Sequence, residues 1–115
     1  MNKLQYIAVD MDGTIVENRW PEIGPLIPRA KEIINRFVDG GGRVIIWTCR
    51  EGKTQDAAEQ ALKDYGVKFH TINENLPELI EAYGNDCRKV GAQMYIDDLG
   101  NHGIDWDEIE KRLFV

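Results

Sequence analysis

The sequence of 115 residues predicts an α/β fold, a small parallel sheet covered by helices on both faces, in a single domain spanning 1–115. Three observations lead to it. Short apolar runs rich in Val, Ile and aromatics recur at residues 5–10, 43–48, 67–72 and 92–97, too continuous for strands with one wet face. Stretches with helical spacing separate these runs. Three of the four runs end in side chains that handle charge or hydrogen bonds: Asp10 with Asp12, Thr48, and Asp97 with Asp98.

Between the first two runs, Ala30, Ile33, Ile34, Phe37 and Val38 repeat at helical spacing, with Pro28 near the start and Gly40, Gly41 and Gly42 as the stop. Next, Ala58, Ala61, Leu62 and Tyr65 share one helical face ahead of Gly66, a suitable C-terminal cap. A shorter helix is expected from Asn75 and Glu78 as a capping box, with Pro77 in the first turn and Gly84 as the stop. Asp105 and Glu108 repeat that signature before Ile109 and Leu113, giving a closing helix. Alternating strands and helices imply right-handed crossovers and hence parallel strands. Residues 15–27, "IVENRWPEIGPLI", carry the Pro and Gly content of an ordered loop. Within it, Trp20 reads either as a short lid over a site or, the preferred reading, as a tryptophan packed on the core.

Composition narrows the function. With 43% hydrophobic residues, a chain of this size buries an ordinary core without disulfides. Cys49 and Cys87 lack CxxC spacing and are expected as free thiols of a reduced compartment. No signal peptide and no run of eighteen apolar residues is present, so a cytoplasmic protein without a membrane partner is expected. A net charge of -6 argues against unspecific binding to nucleic acid.

Open α/β sheets place their sites beyond the carboxyl ends of the strands, where Asp10, Asp12, Thr48, Asp97 and Asp98 are expected. Any one of these carboxylates also reads as a turn or helix cap; their joint placement argues for a site. Four carboxylates at one edge repel each other unless a cation lies between them, and hard oxygen ligands select magnesium. Such an ion is usually completed by substrate phosphate, so a phosphorylated substrate is expected. Gly13 lets the backbone turn beside the ion, and its amide and that of Thr14 are candidates to face phosphate oxygens.

"DMDGT" (10–14), "IIWTCR" (45–50) and "YIDD" (95–98) resemble the first, second and fourth motifs of the haloacid dehalogenase (HAD) superfamily. The match runs in order and covers the whole predicted sheet. The resemblance implies a HAD-like, three-layer Rossmann-like sandwich with strand order 3-2-1-4. It implies a magnesium-dependent phosphatase in which Asp10 attacks phosphorus and Asp12 handles the proton. Magnesium would be held by the Asp10 carboxylate, the Asp12 carbonyl and Asp97, with Asp98 as a supporting or alternate ligand. Thr48 would donate to phosphate, its plainer reading being a strand terminator. Arg50, two residues on, reads equally as a phosphate clamp or as a surface partner of Glu51 or a helix carboxylate.

One motif departs from the pattern. The third-motif lysine is missing from "TINENLPE", where Asn73 and Asn75 offer neutral donors, although Asn75 is preferred as the helix cap. Lys89 precedes Asp97 by eight residues, about 26 Å of extended chain, beyond the reach of its side chain. The neutralising cation is then Arg50, Lys53 or nothing from this chain. No segment is long enough for a cap domain, so an open site is expected, suiting a large phosphorylated partner, a nucleic-acid end, or a small substrate covered by a neighbouring subunit. "TCRE" also resembles the corresponding segment of polynucleotide kinase-phosphatases. Two alternatives stand beside the enzyme: a degenerate member that binds magnesium and a phosphorylated ligand without turnover, and, less favoured, a receiver-like signalling domain.

Overall fold

A computed structural model describes residues 1–83, 92–97 and 104–115. The run around Ile7 forms strand β1 (Tyr6–Val9), flanked in parallel by β4 (Arg43–Ile46) and β6 (Met94–Ile96). A two-residue strand, β5 (Thr71–Ile72), joins the outer side of β4, so the order is β5-β4-β1-β6.

Alternation of side chains along β1 and β4 divides the apolar residues between two faces. Ile7, Val9, Val44 and Ile46 join a large cluster with α1 (Ala30–Asp39), α2 (Gly52–Tyr65) and α4 (Trp106–Leu113). Ala8 and Ile45 point the other way, against Leu76 and Leu79 at the start of α3 (Pro77–Tyr83). This two-sided burial is why the strand sequences are continuously apolar. On α1, the periodic residues Ala30, Ile33, Ile34 and Phe37 are all fully buried, each larger one contributing about 1.5–3 kcal/mol. The stop after α1 is steric as well as conformational: a Cβ at Gly42 would lie 2.3 Å from the Phe37 ring.

Two details differ from expectation, each for a local reason. The third strand is confined to Thr71–Ile72, because Val67 instead closes α2. Its N–H donates to Leu62 O (2.9 Å) while Gly66, at φ 78°, donates to Lys63 O. Glu78, expected as the capping-box partner of Asn75, accepts from Arg43 Nε and Nη2 (2.7 and 3.0 Å), and this fork holds its carboxyl below the usual range. The stop expected at Gly84 lies outside the described residues. Asp105 does cap α4, accepting from the amides of Asp107 and Glu108.

Residues 15–27 are not a loop. Val16–Arg19 (β2) and Glu22–Leu26 (β3) form an antiparallel hairpin with an irregular register between Val16 and Asn18. Its outer residues are exposed, so it lacks the alternating pattern that marks a strand. It is anchored instead by buried Val16, by Tyr65 Oη donating to Gly24 O (2.9 Å), and by a side chain from the β4–α2 loop described below. A Cβ at Gly24 would lie 2.1 Å from Glu17 O, so close strand approach requires glycine there. Among the described residues, no helix is long and apolar enough to cross a membrane.

His70 ties β5 to β4: its Nδ1 accepts from Val44 N–H (3.0 Å), and its own N–H donates to Val44 O (2.9 Å). Burial, with the Arg43 charge adding, pushes its pKa below the ordinary value. The unfolded chain therefore binds more protons just below about pH 6.5, and stability that is complete above that value is lost as pH falls toward the folded-state pKa. The melting midpoint is expected to fall between pH 7.5 and pH 5.5, and His70→Gln, which still accepts from Val44 but does not titrate, to reduce that fall.

Candidate active site

The carboxyl end of β1 leads directly into the site. Asp10 N–H donates to Ile96 O (2.9 Å), carrying the ladder one residue past the strand, so Asp10 and Asp97 emerge from neighbouring strand ends. The chain then winds around one atom: Met11 O accepts from the amides of Thr14, Ile15 and Val16 (3.2, 2.9 and 3.2 Å). Gly13 supplies the positive φ of 85° that the turn requires. Trp106 Nε1 donates to Thr14 O (2.8 Å), pinning the turn to α4. The Gly13 and Thr14 amides, expected to face phosphate, are spent within the turn on Val16 O and Met11 O. Thr14 Oγ1 is buried with no partner among the described residues.

A second loop follows β4. Thr48 N–H donates to Asn73 Oδ1 (2.7 Å), and Asn73 Nδ2 donates to Arg50 O (3.0 Å) and Gln55 Oε1 (3.1 Å). Thr48 Oγ1 accepts from Arg50 N–H (3.2 Å). Asn73, expected as a neutral donor to phosphate, is therefore the brace that shapes the 48–50 loop. Its φ of 56° is the left-handed region that Asn tolerates, and an Asn directly after a strand was the only sequence trace of this role.

Arg50 differs most from expectation. It is neither a surface partner of Glu51 nor an open phosphate clamp, being only 1% exposed. Nε and Nη2 fork onto the Asp12 carboxylate (2.7 and 2.8 Å); Nη2 and Nη1 also donate to Glu22 O and Pro21 O (both 3.0 Å). Four of its five N–H donors are thus engaged. The Asp12 bonds raise its pKa further, against the effect of burial. Trp20, preferred above as a core residue, is instead 58% exposed at the hairpin tip, its ring 4.8 Å from the Arg50 guanidinium carbon. The strand residues nearest it, Glu17 to Arg19 and Glu22, are exposed.

These elements enclose a cleft of about 250 Å³ lined by Asp10, Asp12, Asn18, Trp20, Thr48 and Arg50, with the exposed Cys49 at its side. Four of the predicted site residues meet there, and Asp97 emerges at the adjoining strand end. Asp98, Lys89 and Cys87 lie outside the described residues. Asp12 is neutralised by Arg50, and among the described residues no three metal-ligating side chains converge; the expected cluster of four carboxylates includes Asp98, which is not among them. Asp10 and Asp97 offer hard oxygen donors at adjoining strand ends. That set fits magnesium, which typically takes one or two carboxylates and fills its remaining positions with water and phosphate.

The chain is 42% identical to a conserved protein encoded by a locus of Bacteroides thetaiotaomicron, whose solved structure matches with a TM-score of 0.79 over 91% of this chain and 85% of that one. The chain belongs to the family of that conserved protein. No protein-family model matches the sequence, and no curated protein matches it.

Proposed function

We propose that this chain is a capless, HAD-like phosphohydrolase, magnesium-dependent and cytoplasmic, cleaving a phosphate monoester through an aspartyl-phosphate intermediate. The observation that carries the reading is the meeting of Asp10, Asp12 and Thr48 in one cleft at the carboxyl end of the central strand. An Asp10 oxygen attacks phosphorus as the ester P–O bond breaks, and the leaving oxygen takes a proton through Asp12. Water, giving its proton to Asp12, then attacks the phosphorus, releasing phosphate and restoring the Asp10 carboxylate. Each Asp12 oxygen retains a lone pair beyond the one directed at Arg50, which is what proton handling needs. Thr48 donates its hydroxyl hydrogen to a phosphate oxygen while its oxygen accepts from the Arg50 amide. Asp10, Asp97 and the Asp12 carbonyl would hold magnesium, which supplies charge neutralisation for the transferring group.

One observation favours a second reading, a domain that binds magnesium and a phosphorylated ligand without turning it over. Among the described residues, Arg50 is the one cation lining the cleft, and it is already committed to Asp12 and the hairpin. A screen of sugar phosphates, nucleotides and phosphorylated DNA ends with millimolar magnesium, run beside melting curves, separates the two. The enzyme reading expects hydrolysis of at least one ester and a higher melting midpoint with magnesium. A magnesium-dependent rise without any hydrolysis supports the binder; neither effect sinks both readings.

A further inference from the structure

A cleft of about 250 Å³ is smaller than most small-molecule sites, so a phosphoryl group seated beside Asp10 leaves little room for what it is attached to. That remainder extends past the hairpin. Among the lining residues, Asp10, Asp12, Asn18, Thr48 and Arg50 are polar and Cys49 is small, whereas Trp20 presents a large ring that is more than half exposed. One face of the ring lies over the Arg50 guanidinium, which is fixed by four hydrogen bonds, two of them to main-chain carbonyls at the tip that carries Trp20. A pre-oriented aromatic surface costs little conformational entropy when a second ring is laid on it.

We infer that Trp20 is a specificity-determining residue and that the ligand is a phosphate monoester carrying a planar ring close to its phosphate, such as a nucleoside monophosphate or an aryl phosphate. The inference rests on the phosphate-site reading above but not on turnover. Stacking of a base on an aromatic side chain favours the ring-bearing ligand by about ten- to a hundredfold. Ribose 5-phosphate and a nucleoside 5′-monophosphate share the same primary ester and differ in the base, so their comparison isolates the ring; phenyl phosphate then tells whether any ring suffices.

The test is calorimetric binding of these three compounds, with millimolar magnesium, to the wild-type chain and to Trp20→Ala and Trp20→Phe, alongside kcat/KM wherever turnover occurs. The nucleotide should bind about ten- to a hundredfold more tightly than ribose 5-phosphate; Trp20→Ala should bring the two within about threefold, and Trp20→Phe should restore most of the difference. Equal binding of the two by the wild-type chain, or a preference that survives Trp20→Ala, overturns the inference. If the ring preference appears without hydrolysis, the catalytic reading fails and this one stands. If hydrolysis appears without a ring preference, the reverse holds.

Discussion

Replacing Asp10 by Asn is expected to bring turnover to background while leaving the domain folded. The substitution removes the attacking charge but preserves shape, and the amide oxygen still accepts from Met11 N–H as the carboxylate does at 2.8 Å. Circular dichroism should therefore match the wild type, and residual activity should be too low to assign to the variant. Beryllofluoride, which mimics an acyl phosphate, should attach to Asp10 in the wild-type chain with magnesium and fail to attach in Asp10→Asn. A variant that keeps even a tenth of wild-type turnover would remove Asp10 from the role of nucleophile. Beryllofluoride attachment without measurable hydrolysis would favour the binding domain instead.

The second large effect concerns stability. Arg50→Ala leaves the Asp12 carboxylate, whose side chain is only 15% exposed, without its fork, and strips the Pro21 and Glu22 carbonyls of their donors. Breaking a buried pair in this way costs about 3–5 kcal/mol, so the melting midpoint should drop by more than about 10 °C. Asp12→Asn alone should cost less, because the arginine keeps its bonds to the hairpin. The double variant should fall short of the sum of the two single losses by about 1–3 kcal/mol in urea titrations. Additive losses would show that the pair contributes nothing as a pair, and that Arg50 acts through the hairpin alone.

The residues around the sheet were readable because their burial leaves a pattern. Ile7 to Val9 and Val44 to Ile46 are apolar on both faces since helices cover both, and α1 shows its buried stripe at helical spacing. The strand-end residues Asp10, Asp12 and Thr48 were legible for a related reason, as polar groups set where apolar runs stop. What escaped notice depends on contacts that write nothing into the side-chain order. The hairpin is held largely through its main chain, by Tyr65 and Arg50 donating to carbonyls, so residues 17–22 show only an exposed, irregular exterior. Arg50 was singled out, yet its partner lies 38 positions away, and no local signal distinguishes a buried fork from an open one. The brace formed by Asn73 was hidden likewise, one short side chain bonding three different segments.

The manner in which the hairpin is gripped bears on how relatives diverge. Arg50 holds Pro21 and Glu22 by their carbonyl oxygens, atoms that every amino acid carries, and Tyr65 does the same at Gly24. Residues 17–22 are all exposed, so exchanging their side chains leaves the buried core and these main-chain bonds in place. The rim of the cleft can thus be altered at these positions while the main-chain grip on the hairpin is kept. On the proposed reading, ligand choice then rests on a few solvent-facing side chains, separable from the strand-end residues Asp10, Asp12 and Thr48. The exception is Gly24, where any side chain would collide with Glu17 and force the two strands apart.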